Sequence, residues 1–234
     1  LDRATGRIEP LLSFQRGAVV HFALSDSDIR MATRLAGEDT FFLPFNQGRD
    51  GRAGNPLRAD GGYPVAYFWE QVCQRDNWLR IFHSFVYTEK KDVVGLDGEH
   101  RSKETLIFPR YHQWDAVTRM IADARAKGPG WPYLCEHSAG SGKTSTIAWT
   151  AHDLVRLRTA AGESVFHSVI VVTDRTVLDK QLQDAIQQID HQADMIAAIG
   201  ERDSGQSKSM ELAAALERQT PIIVVTLQTF PYAM

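Results

Sequence analysis

The run Gly140-Ser141-Gly142-Lys143-Thr144 constrains this chain more than any other stretch. It stands between an apolar segment, "WPYLCE", and "TSTIAWTAHDLVRL", whose Ile147, Ala151, Leu154 and Val155 recur at helical spacing. Glycines at alternate positions let a backbone turn sharply and lie close to whatever it encloses. A strand that turns through such glycines directly into a helix belongs to an open α/β sheet, in which loops at the strand ends hold the ligand.

The surrounding sequence carries the same alternation. "YHQWDAVTRMIADARAK" is amphipathic, with Val117, Met120, Ile121 and Ala124 on one face. "SVIVVT" and "PIIVVTLQTF" are unbroken β-branched runs of the kind buried on both faces of a parallel sheet. "TVLDKQLQDAIQQI" and "SKSMELAAALERQ" read as the helices between them. The expectation for 106–234 is a doubly wound parallel sheet, with "WPYLCE" as the strand feeding the glycine loop.

Residues 1–87 have a different grammar, that of a smaller α+β segment. "GAVVHFALSD" and "DIRMATRLAG" predict a hairpin, "FFLPF" a further short strand, and "GRDGRAGNPLRADGGYP" a plain connector. "VAYFWEQVCQR" and "DNWLRIFHSFV" have helical spacing through Trp69, Val72, Cys73, Leu79, Phe82 and Phe85, with Asp76 as the expected N-cap. Residues 88–105, "TEKKDVVGLDGEHRSKET", are polar enough to predict a linker.

Composition narrows the function classes. A net charge of −3 gives no bulk signature of nucleic-acid binding, although a local basic surface is compatible with it. Cys73 and Cys135 lie far apart, outside any C-x-x-C spacing, so reduced thiols and a cytoplasmic location are expected. No apolar run has membrane-spanning length, and no signal peptide opens the chain. Both ends, Leu1 and Met234, read as interior points of a longer protein.

The glycine run has a chemistry of its own. A helix N-terminus presents backbone N–H groups and a positive dipole end, which together favour phosphate. Residues Ser138, Ala139, Gly140, Ser141, Gly142, Lys143 and Thr144 are therefore the candidate nucleotide-binding set. Lys143 would reach the β- and γ-phosphates, and Thr144 would place its hydroxyl on Mg²⁺. The usual G-x-x-x-x-G-K-[ST] pattern lacks its first glycine, since His137 stands there.

A loop without that leading glycine resembles motif I of superfamily 2 helicases and translocases. Upstream, "RYHQ" resembles their adenine-reading Q motif, which implies an adenine contact for Gln113 with Arg110 beside it. Strand-end "TDR" resembles the motif that touches the phosphates of a nucleic-acid strand and implies that role for Thr173, Asp174 and Arg175. Two other readings of Asp174 stay open, a magnesium-holding carboxylate after a hydrophobic strand and a purely structural strand end. "TLQTF" resembles a further DNA-contacting motif, with Thr226 and Gln228.

Together "FPRYHQWDAV", "HSAGSGKTSTIAW", "VIVVTDRTVLDKQLQDAI" and "IIVVTLQTFP" resemble the R subunit of type I restriction enzymes. "VVHFALSD", "TRLAGEDTFFLPFNQGRDGRAGNP" and "YFWEQV" resemble the segment between its nuclease and its motor. The resemblance implies an incomplete RecA-like lobe of the P-loop NTPase type over 106–234. It implies ATP-dependent DNA translocation coupled to endonuclease cleavage, with ATP and Mg²⁺ as cofactors. The implied partners are double-stranded DNA and the modification and specificity subunits. No catalytic residue is identifiable here: the nuclease site is expected before Leu1, and the D-E-x-H box and second lobe after Met234. The one E-x-K, Glu89-Lys90-Lys91, falls in the expected linker with no strand to present it. Two alternatives remain, another superfamily 2 helicase or repair protein, and an ATP-binding regulatory or assembly module without motor activity.

Overall fold

The structure is a computed structural model that describes residues 9–14, 16–94, 98–174, 176–189, 195–199 and 207–232. Two compact units divide it, Leu1–Asp115 and Ala116–Met234.

In the first unit, β1 (His21–Leu24) and β2 (Ile29–Ala32) form the expected antiparallel hairpin, and β3 (Leu43–Pro44) adds to β2. Phe22, Phe45, Phe68, Trp78 and Phe108 pack around it with ring centroids 4.7 to 6.4 Å apart. Edge-to-face and tilted rings of this kind are the favoured aromatic geometry. The buried Tyr67 hydroxyl donates to the Phe45 carbonyl at 2.7 Å, and burial pushes its pKa up.

The expected helical stretch is broken in two. Phe68–Val72 forms a π-type turn, and α1 (Arg75–Ser84) begins only after an extended Gln74. That break separates the two apolar faces. Val72, Ile81 and Phe85 are buried, whereas Trp69, Cys73, Leu79 and Phe82, expected inside, are exposed to solvent or nearly so. Gln74, not Asp76, is the N-cap, and Asp76 lies in the first turn, where the helix dipole favours a carboxylate.

The segment expected as a linker contains two strands. Tyr87–Val94 (β4) and His100–Ile107 (β5) pair antiparallel over eight residues. Alternating apolar residues do not mark this ribbon because both faces are largely solvated. Glu89 therefore does lie on a strand, where it accepts an ion pair from Lys91 at 2.9 Å, while Lys90 meets Glu104 across the ribbon at 2.9 Å.

The helix α2 (Tyr111–Lys127) matches its sequence span and passes from the first unit into the second. In the second unit Val117, Ile121 and Ala124 form its buried face. There follow α3 (Lys143–Arg156), β6 (Val169–Thr173), α4 (Thr176–Ile189), β7 (Ile196–Ala198), α5 (Lys208–Glu217) and β8 (Ile222–Thr226). The sheet is parallel with order β6-β8-β7.

Alternation along β8 explains the layers. Ile222 and Val224 pack against Ala148 and Ala151 of α3 and Leu182 and Ile186 of α4. Ile223 and Val225 turn the other way, onto Leu212 and Ala215 of α5. Helices thus cover both faces of the central strand, which is why all of its positions are buried.

Two expectations for this sheet are corrected. Among the described residues "SVIVVT" pairs with β8 alone, and Ile170 and Val172, on one face of it, are exposed rather than enclosed. "WPYLCE" forms no strand, and Leu134 within it is 93% exposed. The short strand β7 was not foreseen.

Candidate nucleotide-binding site

The glycine run forms a tight loop that ends in α3. Gly140 has φ 71° and Gly142 φ 83°, left-handed values that a side chain would strain. Gly142 is the N-cap of α3 and caps it with backbone alone, so Lys143 is the first helical residue. The loop closes on itself through Ser141 N–H donating to the Ser138 carbonyl at 3.3 Å. The Lys143 ammonium donates to the same carbonyl at 2.6 Å. Ser141 is buried, whereas Ser138, Ala139, Gly140 and Lys143 are exposed and Thr144 is half-buried.

Beside the loop lies a cleft of about 830 Å³. Lys143, Thr144, Thr173 and Asp174 line its polar side, and Ile147, Ile170 and Val172 its apolar side. Ile147, expected on the buried face of α3, is instead exposed toward this cleft. Ala148, Ala151 and the buried His152 turn inward in its place.

The C-terminal ends of β6 and β8 form one rim because Thr173 pairs with Thr226 in register. The Gln228 amide donates to the Asp174 carbonyl at 3.2 Å and ties the two strand ends together. Thr226 is only 6% exposed, and its hydroxyl bonds that of Thr229 at 3.2 Å. The side chain expected to face a ligand is therefore turned into the protein. Arg175 lies outside the described residues.

In the first unit, Gln113 is 4% exposed, and its side-chain oxygen accepts the Arg110 backbone N–H at 2.9 Å. The Gln113 N–H donates back to the Arg110 backbone carbonyl at 3.0 Å, so the head of α2 is closed by the Gln half of a capping box. Burial also lowers the Arg110 pKa.

The model of one protein family, described as SWI2/SNF2 ATPase, matches residues 112–233, just over half of the chain. The chain belongs to the SWI2/SNF2 ATPase family. No curated protein and no solved structure matches it. The matched span holds the glycine loop, the cleft beside it and the β6–β8 rim. A SWI2/SNF2 ATPase is a helicase-like ATPase of superfamily 2, and membership implies use of ATP, for which Mg²⁺ is the typical counter-ion.

Among the described residues of this SWI2/SNF2 ATPase no group of three or more His, Cys, Asp or Glu side chains could hold a metal ion. Among them too, no helix is long and apolar enough to cross a membrane. Sequence reasoning overlooked His152, whose buried Nε2–H donates to the Ile186 carbonyl at 2.8 Å and joins α3 to α4. Its place on the inward face beside Ala148 and Ala151 was the available signal.

Proposed function

We propose that this SWI2/SNF2 ATPase is the ATP-binding part of a DNA translocase, of the kind found in the R subunit of type I restriction enzymes. In this reading 106–234 is the beginning of a RecA-like lobe, 1–87 precedes it, and the charged ribbon joins them. The observation that carries the nucleotide assignment is Lys143 at the head of α3, its ammonium on the Ser138 carbonyl at the mouth of the cleft. The residues present fit a magnesium nucleotide. The loop is turned by glycines at positive φ, a cation stands at its centre, and the cleft lies within the 300–1,000 Å³ typical of small-ligand sites.

In that role Lys143 exchanges the Ser138 carbonyl for phosphate oxygens, and the N–H groups of the first turn of α3 point at the same charge. Thr144 is the residue that would hold magnesium, which when bound screens the charge of the β- and γ-phosphates. Ser138, Ala139, Gly140, Ser141 and Gly142 shape the loop and hold its curvature. Arg110 and Gln113 stand for the adenine-reading element, and Thr173, Asp174, Arg175 and Gln228 for the rim that meets DNA phosphates. Buried Thr226 supports the rim from beneath.

The activity proposed for the whole protein is translocation coupled to cleavage of duplex DNA, in the cytoplasm, with modification and specificity subunits as partners. The order of "FPRYHQWDAV", the glycine loop, "VIVVTDR" and "IIVVTLQTF" supports it. The test is ATP-dependent displacement of a third strand bound to duplex DNA ahead of the assembled complex carrying Lys143→Ala. Loss of ATP-dependent displacement with assembly preserved is the expected result. Displacement at the normal rate would remove the assignment.

A further inference from the structure

We propose that the arginines Arg49 and Arg52, at the tip of the loop after β3, form a phosphate clamp that grips the backbone of duplex DNA. This rests on the reading of the chain as a DNA-directed ATPase and adds a second contact to it, on the first unit.

The loop that the sequence presents as a plain connector is a built finger. Arg49 N–H donates to the Arg52 carbonyl at 2.9 Å, and Arg52 N–H to the Arg49 carbonyl at 2.8 Å. The two arginines thus form a hydrogen-bonded antiparallel pair around Asp50 and Gly51. Both turn residues have positive φ, 49° and 73°, as the type I′ turn favoured by Asp-Gly requires. Below the tip, Gly48 N–H donates to the Gly54 carbonyl at 2.9 Å.

Buried polar groups fix the base. Asn55, 6% exposed, accepts the Gln47 N–H at 2.9 Å and donates to the Ser27 carbonyl at 2.9 Å and to Asn46 at 2.8 Å. Asn46 in turn accepts the Ile29 N–H at 2.9 Å and donates to Asp28. The finger is therefore tied to the β1–β2 turn and to β2, while residues 48–53 are exposed.

Its charge arrangement points to an anion. Residues directly opposite in such a pair carry their side chains on one face, and like charges so placed repel. Among the described residues neither Arg49 nor Arg52 has an ion-pair partner. Arg58, by contrast, is neutralised by Asp60 at 2.6 Å and Glu70 at 2.7 Å. A phosphodiester bridging two guanidiniums turns the repulsion into attraction. A finger rigid before binding loses little conformational freedom in doing so. With one dipeptide at its tip, it reads charge and not base identity.

The experiment is fluorescence anisotropy of the chain with two duplexes of unrelated sequence over a salt series. Arg49→Ala/Arg52→Ala is expected to lower affinity roughly tenfold for both duplexes, and to reduce the slope of log K against log salt by about 1.8. Arg49→Lys/Arg52→Lys restores most of that slope, because the charges return without the fork. An unchanged slope in the alanine pair, a lysine pair no better than alanine, or an effect confined to one sequence overturns the clamp. ATP titration of the same variants separates this from the nucleotide reading. Both bind ATP like the parent chain if the site on 138–144 is independent, and a parent chain that binds no ATP sinks that reading alone.

Discussion

The Lys143 ammonium lies 2.6 Å from the carbonyl oxygen of Ser138, five residues earlier in the same loop. A lysine so held is aimed before any ligand arrives, because its charge already sits over the centre of the turn. Phosphate needs only to outcompete one neutral oxygen. Lys143→Ala should weaken Mg–ATP about ten- to a hundredfold, the worth of a charged hydrogen bond. Isothermal titration is the check, and an unchanged dissociation constant would move the nucleotide elsewhere.

Gln113 carries two readouts that separate. Its oxygen accepts the Arg110 N–H at the start of α2, so Gln113→Ala should lower stability by about 1 kcal/mol, as lost caps do. Denaturant unfolding measures that. Reading of adenine predicts in addition that ATP binding suffers more than binding of inorganic triphosphate. Equal loss for both ligands would leave Gln113 as a cap and nothing else.

Ile170 and Ile223 are register partners in β6 and β8, yet Ile170 is 38% exposed and Ile223 fully buried. Ile223→Ala removes packing against α5 and should cost about 2–4 kcal/mol. Ile170→Thr keeps β-branching at a solvated position and should change stability by less than about 1 kcal/mol. Urea midpoints of the two variants decide it, and similar losses would mean that β6 is covered on its outer side.

Asp28 is held below the usual carboxylate range, first by the Asn46 amide and then by Arg30, against a desolvation effect that raises it. A depressed folded-state value stabilises the fold above the unfolded-state value and is lost as acid protonates the folded carboxylate. Acidification from about pH 6 to about pH 3 should therefore destabilise the parent chain more than Asp28→Asn, which has no such carboxylate to protonate. Melting curves across that window are the measurement, and identical pH profiles would rule the contribution out.

Legibility in the sequence followed how local each signal was. The span of α2, the β1–β2 hairpin and the glycine loop rest on contacts within a few residues, and each was readable. The ribbon β4–β5 was not, because its strands are solvated on both faces and carry cross-strand charges in place of alternating apolar residues. The exposure of β6 depends on which strands flank it, a fact of topology that "SVIVVT" cannot encode. The burial of Thr226 was hidden for a similar reason, since its partner Thr229 lies in the turn that follows the strand. The arginine finger was hidden because its rigidity comes from Asn46 and Asn55, whose amides look like ordinary loop residues until their partners are known.

The outer side of β6 has a bearing on how the chain behaves in a test tube. Among the described residues only β8 pairs with this strand, and Ile170 and Val172 stand beside its open backbone. A β-branched edge of this kind is a template on which another chain can continue the sheet. Purified material should accordingly scatter more light as its concentration rises. A lysine at position 170 or 172 should suppress that turbidity, and because both positions also line the cleft beside the glycine loop, the same substitutions put a second charge next to Lys143.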